Sequence, residues 1–494
     1  MRRNQLSAAL IAAGLCLPVS LPAFAAPDAA TLEKLAARLE KLEARNVELE
    51  KEVKVLKSES TKIAQGLDSP RLSEDEPDLT VRLKAVEKDA LNMKKAAKIA
   101  EGLDGIKVGA SLATVGQMAS GLPKDIENGS SQLNYRADVS VELPLKPLGD
   151  IEHKLFAHLR MGQGLGLNAA ASNLGHFASA PNALAFRASG ASPDDSVVIL
   201  GEAWYQAAIP LPFLGFKPYS REKLEVTFGK MDIFSFFDQN AAAGDESKQF
   251  LNSVFVHNPL LDAAGEVGVD ANGFQPGFIA SYFNYFDKPQ PWRISVGVFG
   301  TGERGANYQR SLSSPLLMVQ AEKQLKLFDG LTGNYRIYGW NRSEGVEYDG
   351  SINKHTGVGI SVDQRLGDGV KVFGRYGKLL KGELPFNQAV TAGAEFSGGY
   401  WGRGADSLGI AGAWLQSGKG YRSTTATTFL DDNHTQTAYS FVPSGAEQVA
   451  EMYYRYRVSP QFELSPDFQW ITRGGGNSDA DPVKVFAIRA NIAY

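Results

Sequence analysis

The chain has 494 residues, longer than a typical single soluble domain, and its net charge of −4 gives no basic surface for nucleic acid. Its single cysteine, Cys16, falls within a predicted export signal, so the mature chain is expected to lack disulfides and cysteine-metal sites. Beyond that signal, no run of about eighteen apolar residues predicts a transmembrane helix. An exported chain of this kind can span a membrane only as a closed barrel.

Residues 1–25 are predicted to be a secretory signal peptide. Two arginines near the start precede an apolar run from about residue 6 to residue 21, and Ala23-Phe24-Ala25 has the pattern of a cleavage site. Lipid attachment at Cys16 is disfavoured because Leu15 stands where a lipobox requires a small residue.

Residues 26–104 are predicted to form a periplasmic α-helical segment that begins as a coiled coil. From Thr31 to about Ile63, apolar residues recur at heptad spacing, with one polar interruption at Asn46. The charges that flank this seam pair with opposite sign, which favours parallel, in-register copies of the same chain.

The hexamer Arg38-Leu39-Glu40-Lys41-Leu42-Glu43 resembles a motif of short, parallel, three-stranded coiled coils. In that motif the arginine covers the apolar seam and pairs with the glutamate of a neighbouring chain. We therefore predict a homotrimer; a dimer and a lone amphipathic helix are the alternatives. The predicted contacts are Arg38, Leu39, Leu42, Glu43 and Asn46.

From residue 105 onward the sequence predicts an all-β fold. Alternating segments of about ten residues, separated by Gly, Asn, Asp, Pro and Ser, indicate a transmembrane antiparallel β-barrel of about 16 strands. The predicted strands lie near 106–117, 133–143, 151–162, 196–208, 222–231, 275–286, 291–299, 315–327, 332–341, 355–365, 369–379, 389–398, 406–416, 446–458, 461–472 and 483–494.

The last predicted strand shows the alternation most clearly. One parity is apolar from Phe486 to Tyr494, while Arg489 and Asn491 lie on the other. This pattern suits a barrel with lipid outside and water inside, although a soluble sheet is the alternative. The final aromatic also resembles the signal that ends bacterial outer-membrane proteins.

Three long connections are the regions where function is expected. Residues 163–195, rich in Gly, Ala, Ser and Asn, and the polar residues 417–444 are predicted to be external loops. Residues 232–274 contain a predicted short helix, and this connection is long enough to fold into a pore.

Four stretches resemble the carbohydrate-selective porin family, the OprB-like proteins. They are Gly201-Glu202-Ala203-Trp204-Tyr205-Gln206, the region from Phe228 to Asn252, Glu451-Met452-Tyr453-Tyr454-Arg455-Tyr456, and the region from Pro460 to Trp470 with the last strand. The resemblance covers about 106–494 and implies a sixteen-stranded outer-membrane barrel, an infolded constriction and passive uptake of sugars. The coiled-coil arm departs from the plainest members of the family.

Inward-facing positions supply the candidate pore-lining and substrate-binding residues. Arginine forks and carboxylates can share hydrogen bonds with vicinal hydroxyls, and each contact must stay weak if the solute is to leave. The alternative is that these charges only solvate the lumen or pair across strands. The candidates are Arg136, Arg160, Glu202, Trp204, Arg293, Arg336, Arg375, Glu451, Arg455 and Asp467.

Signals for an enzyme are weak, and we predict no catalytic residue, metal or cofactor. The stretch from Gly300 to Gly305 matches a dinucleotide fingerprint, but no helix opens after it to receive a phosphate. The histidines also lack metal-ligand spacing.

We therefore predict a porin of the bacterial outer membrane, with its coiled coil in the periplasm. Its expected partners are sugars, outer-membrane lipid and copies of the same chain, with possible cell-wall contact through the coiled coil. A general or anion-preferring diffusion porin, and an envelope-tethering structural protein, are the alternative functions.

Overall fold

A computed structural model describes residues 44–45, 47–58, 105–122, 130–167, 179–186, 195–212, 220–261, 273–300, 313–423, 428–430, 436–438 and 443–494. The chain divides into two units, Met1–Lys98 and Ile99–Tyr494. In the first unit, residues 47–58 are helical and all are exposed. The predicted signal peptide and the five predicted oligomerisation residues lie outside the described residues.

The second unit is a closed antiparallel barrel of sixteen strands, as the alternation predicts. The strands are β1 Lys107–Ser120, β2 Ser131–Pro144, β3 Glu152–Gln163, β4 Val197–Leu211, β5 Glu222–Asp232, β6 Phe274–Asn284, β7 Trp292–Phe299, β8 Leu316–Leu327, β9 Leu331–Val346, β10 Ile352–Arg365, β11 Val370–Lys381, β12 Phe386–Ser397, β13 Ser407–Ser417, β16 Ala446–Arg457, β17 Phe462–Thr472 and β18 Val483–Ala493. A separate hairpin joins β14 (Thr428–Leu430) to β15 (Gln436–Ala438).

The last strand closes the barrel. Strand β18 pairs with β17 on one side and with β1 on the other. At the final residue, the Tyr494 N–H donates to the Ala110 carbonyl at 2.8 Å, and the Ala110 N–H donates to the Tyr494 carbonyl at 3.1 Å. Closure leaves no strand edge unpaired, which a sheet in hydrocarbon requires.

The two faces of the wall differ as the alternation predicts. Outward apolar side chains are strongly exposed, for example Leu133 at 72% and Ile488 at 62%. Residues of the opposite parity on the same strands, such as Arg136 and Arg489, point inward and are buried. Such an apolar outer surface is costly in water and suits a hydrocarbon environment.

Connections differ between the two ends of the barrel. The end that carries both barrel termini, here called the terminal end, has short connections such as the β8–β9 turn. That turn needs left-handed backbone at Phe328, Asp329 and Gly330, with φ values of 46°, 61° and 89°. The opposite end, here called the loop end, carries the long connections.

Among the described residues of the barrel unit, helical structure occurs only as short pieces. They are 3-10 turns at Ile233–Ser235, Gly398–Trp401 and Gly474–Gly476, and α-helical turns at Ser253–Val256 and Lys419–Ser423. Within the described ranges, no helix combines the length and apolar character needed to cross a membrane.

Candidate functional site in the barrel lumen

The connection between β5 and β6 lies inside the barrel. Its described part after β5, residues 233–261, is here called the inner loop. On one side, the Tyr338 hydroxyl of β9 donates to Asp238 at 2.8 Å. On another, the Leu251 N–H donates to Glu451 of β16 at 2.5 Å. A segment can reach such distant strands of a closed barrel only through its interior, so the predicted infolding is present.

Short polar residues shape the inner loop. The Asp232 carboxylate accepts from the Phe234 N–H at 2.9 Å and caps the first 3-10 turn. The Asn252 side chain likewise accepts from the Val254 N–H at 3.2 Å and caps the turn Ser253–Val256. Asp238 adopts a left-handed conformation, with φ at 51°, which aspartate tolerates better than most residues. The sequence thus specifies the bends locally.

Apolar packing holds the inner loop against the wall. Phe250 is fully buried, and its ring centroid lies 5.3 Å from Phe255, 5.5 Å from Phe373 and 5.0 Å from Tyr453. Burying an aromatic side chain of this size contributes roughly 1.5–3 kcal/mol. The inner loop is therefore packed like a protein core.

Arg375 of β11 is the most connected anchor of the inner loop. Its Nε lies 3.1 Å from the Asp238 carboxylate, and both groups are fully buried. Its Nη1 donates to the Phe255 carbonyl at 2.6 Å, and its Nη2 donates to the Ala243 carbonyl at 2.7 Å. One guanidinium thus joins three separate parts of the loop, which a planar fork of donors can do.

Glu451 of β16 anchors the other side. It accepts from the backbone N–H groups of Leu251 and Asn252, at 2.5 and 3.0 Å. The Asn252 side chain donates to Gln469 of β17 at 3.0 Å, and Gln469 donates to Asp467 at 3.1 Å. Glu451 and Asp467 therefore belong to the network that seats the loop.

A third cluster joins the inner loop to β2 and β3. Arg136 donates to Glu246 of the loop at 2.8 Å and to Asp138 at 2.9 Å. Arg160 and His158 of β3 also contact Asp138, at 2.7 and 2.8 Å. This cluster connects two predicted residues, Arg136 and Arg160, through carboxylates that the sequence did not single out.

The charge state of Glu246 is controlled by this cluster. Burial alone raises the pKa of its carboxyl, but the guanidinium groups of Arg136 and Arg160 outweigh burial and hold the pKa at about 2. Glu246 therefore stays ionised at any ordinary pH, and its ion pair with Arg136 persists.

A second loop segment also lies in the lumen. Residues 179–186, between β3 and β4, pack on the inner loop through the Ala183 N–H, which donates to the Leu251 carbonyl at 2.8 Å. The Asn134 amide of β2 donates to the Leu184 carbonyl at 3.2 Å. Part of the connection predicted to be an external loop is therefore folded inward.

Arg293 and Arg336 share a chain of ion pairs across four strands. Arg293 of β7 donates to Glu322 of β8 at 2.5 Å and to Gln239 of the inner loop at 2.9 Å. Arg336 of β9 lies 3.0 Å from the same Glu322 and 2.7 Å from Asp363 of β10. Both arginines are thus neutralised by carboxylates on adjacent strands.

Glu202 and Trp204 lie at the root of the inner loop. The Trp204 Nε1–H donates to Glu202 at 3.1 Å. The indole stacks on Phe156, with centroids 4.7 Å apart, and meets the edge of Phe236 at 5.8 Å. Its donor and much of its ring are therefore engaged by the protein, which makes Trp204 a support for the loop.

The remaining candidate, Arg455, is a half-buried residue of β16 that faces Ser407 of β13 in the register. Binding of solute by any of the ten candidates stays a prediction. Sequence reasoning missed Asp138, Glu246 and Asp363 as partners. Asp138 shares the inward parity of Arg136, but the Arg136–Glu246 pair spans 110 residues and leaves no local signal.

The barrel portion of the sequence matches a known protein family. The profile described as "Carbohydrate-selective porin, OprB family" matches residues 133–494. Among solved structures, the chain is similar to OprB of Pseudomonas putida, with 18% identity, coverage of 80% of this chain and 96% of that one, and a TM-score of 0.59. It is also similar to a mutant of Rh. blastica porin, with 10% identity, coverage of 79% and 100%, and a TM-score of 0.42.

Among curated proteins, none matches this sequence. The family profile covers most of the chain and nearly the whole barrel, and the fold agrees with that of a solved member. The chain therefore belongs to the carbohydrate-selective porin family, OprB.

Proposed function

We propose that this outer-membrane porin conducts small, neutral, hydroxyl-rich solutes by passive diffusion past the inner loop. The proposed passage runs between the exposed edge of the loop and the wall formed by β3–β6, here called the open wall. The loop edge presents small or polar residues, of which Ser235 and Ala241 are exposed and Gln239 is half-buried. This edge offers hydrogen-bonding groups without a large apolar surface.

The observation that carries the proposal is the pairing of charges on the inner wall. Cations and carboxylates lie within salt-bridge distance across neighbouring strands or, for Lys223 and Glu225, along one strand, so their fields largely cancel in the adjacent lumen. The pairs are Lys154–Glu142, Arg160–Asp138, Lys223–Glu225, Arg293–Glu322, Arg336–Asp363 and Lys371–Glu395. A wall of this kind binds hydroxyls weakly and gives an ion little net attraction.

Swelling of proteoliposomes that contain the purified full-length porin tests this proposal. A hexose, a neutral amino acid, and anionic and cationic solutes of similar size are compared in the same vesicles. We expect the hexose to enter faster than either ion, with anion and cation entering at similar rates. Faster entry of the anion than of the hexose would contradict the proposal.

An anion-preferring channel, the main alternative, requires unpaired cations at its narrowest ring. The paired arginines at Arg293 and Arg336 disfavour it. Its signature is a reversal potential displaced toward that of chloride in a salt gradient, whereas the neutral-solute proposal predicts a reversal potential near zero.

We also propose that the heptad segment joins three chains in the periplasm. Support comes from the helical conformation of residues 47–58 and from exposed apolar residues at seam positions, such as Leu49, Val53 and Leu56. Deletion of residues 27–104 is expected to lower the number of chains recovered by chemical cross-linking. An unchanged oligomer would contradict assembly by the arm, and unchanged envelope integrity would contradict tethering to the cell wall.

A further inference from the structure

Inward-facing aromatic residues fall into two groups. Those beneath the inner loop are almost completely buried, as Phe299, Phe373 and Tyr453 illustrate. The others lie on the open wall and stay half-buried; Phe156 and Trp204 stack on each other at the root of the inner loop, which leaves Phe283 and Tyr285 at the end of β6. Aromatic surface left in contact with lumen water is unfavourable, so this second group needs a separate explanation.

The register places Phe283 on the inner face. It pairs with Arg293 of β7, and Arg293 donates to Gln239 of the inner loop at 2.9 Å. The adjacent residue, Tyr282, has the opposite parity and contacts Trp292 at a centroid distance of 5.4 Å. Phe283 therefore lies on the wall of the lumen, close to the terminal end and next to an arginine that reaches the loop.

The rings of Phe283 and Tyr285 form a common surface. Residues two apart in a strand point to the same face. The two ring planes are parallel within 2°, and their centroids lie 6.1 Å apart. This spacing along the strand extends the aromatic surface beyond a single ring.

Polar groups flank the two rings. The Lys223 ammonium lies 4.4 Å from the Phe283 centroid and 5.7 Å from the Tyr285 centroid. Lys223 also donates to Glu225 at 2.5 Å, and the Arg293 guanidinium lies 5.5 Å from the Phe283 centroid. The Lys223 ammonium thus lies over both rings and the Arg293 guanidinium over one, so hydrogen-bonding groups lie directly against the aromatic pair.

We propose that Phe283, Tyr285 and Lys223 form a contact site for pyranose rings at the terminal end of the passage. A pyranose has C–H groups that can contact the part of the rings left open and hydroxyls that can bond to the nearby ammonium, guanidinium and carboxylate groups. The site deepens the proposed function and rests on it. Through Arg293 and Gln239 it continues from the inner loop, so a sugar that passes the loop meets it next.

The test compares a hexopyranose with an acyclic polyol of the same carbon number. Glucose and mannitol are both neutral and rich in hydroxyls, but only glucose presents a ring face. In the full-length porin in proteoliposomes, we expect the glucose-to-mannitol ratio of swelling rates to exceed one. Replacing both aromatics, F283A with Y285A, should lower this ratio roughly two- to tenfold, as expected for lost aromatic contacts.

Matched variants separate stacking from damage to the barrel. F278A removes an aromatic from the outer face of the same strand, where Phe278 is 47% exposed, and should leave the ratio unchanged. F283Y with Y285F keeps both rings and should also preserve it. Because the ratio is taken within one preparation, it does not depend on how much protein inserts.

Two results would overturn the site. One is a wild-type ratio near one while both solutes still outpace ions, which leaves the neutral-solute function intact. The other is a preserved ratio in the double alanine variant. Failure of the proposed function is distinct, because it appears as faster entry of ions than of either neutral solute.

Discussion

The inner wall of the barrel has two regions that look alike in sequence and differ in structure. In the region that makes most contacts with the inner loop, here called the covered wall and formed by β7–β13, β16–β18 and β1–β2, Arg375 and Glu451 bind loop backbone. On the open wall, Lys154 and Lys223 pair with side chains of their own sheet and stay partly exposed. Inward parity thus places a charged side chain in the lumen. The path of the inner loop determines whether that side chain binds the loop or faces the passage.

The largest expected effect is the loss of Arg375. Its removal leaves the buried Asp238 carboxylate without a cation, a change that typically costs about 3–5 kcal/mol. We expect R375A to release the inner loop, raise single-channel conductance and admit larger oligosaccharides. The upper size limit in a swelling series of oligosaccharides measures this effect.

R365A is the matched control because Arg365 is an exposed arginine at the end of β10. It should keep the size limit of the wild type. An unchanged size limit in R375A would show that Arg375 is not needed to hold the inner loop in place.

A smaller effect is expected for Glu451, whose hydrogen bonds to the backbone of the inner loop can be measured directly by amide exchange. In E451Q an amide nitrogen replaces one of the two oxygens that accept these N–H groups, so one buried N–H loses its acceptor, at a cost of roughly 1–3 kcal/mol. Amide exchange at Leu251 and Asn252, followed by mass spectrometry, should accelerate roughly ten- to a hundredfold.

The neighbouring residue Met452 points outward, so M452L serves as the control and should leave exchange unchanged. Equal exchange in E451Q and the wild type would mean that apolar packing alone seats this part of the loop.

Acid should weaken the attachment of the inner loop to the covered wall, because Glu246 becomes protonated. The folded pKa of Glu246, about 2, lies below its ordinary value of 4.5, so its ion pair stabilises the docked loop fully above that value. This contribution falls as pH decreases from about 4.5 towards 2. Thiol labelling of S247C, divided at each pH by the labelling rate of a small free thiol, should therefore accelerate as pH falls through that range and stay constant between pH 5 and 7.

E246Q added to S247C removes the titrating group and isolates its contribution. Its labelling rate should already be raised at pH 7 and should change less on acidification. If both proteins show the same acid profile, another carboxylate controls release of the loop.

The smallest effect is expected on the open wall. W204F removes the donor to Glu202, a hydrogen bond worth about 1 kcal/mol, while an aromatic ring stays against Phe156. We expect a small decrease in thermal stability and a nearly unchanged size limit. W470F, on the outer face, is the control, and a widened pore in W204F would show that Trp204 is a principal anchor of the loop and not a minor support.

Strand positions were predictable because they depend on local alternation. The sixteen predicted segments match the sixteen strands of the barrel, with ends that differ by a few residues, as where β9 continues to Val346. The infolded loop was predictable from the length of the connection and its predicted short helix. The inward burial of residues 179–186 was not, because nothing local distinguishes them from an external loop.

The sequence by itself determined the barrel, the parity of its two faces and the family, because period-two alternation and short motifs are local properties of the chain. Only the tertiary structure decided which inward charges hold the loop and which face the passage. Arg375 meets Asp238 across 137 residues, and Arg136 meets Glu246 across 110. Such partners are brought together by closure of the barrel and the course of the loop through it, neither of which is encoded at any single strand.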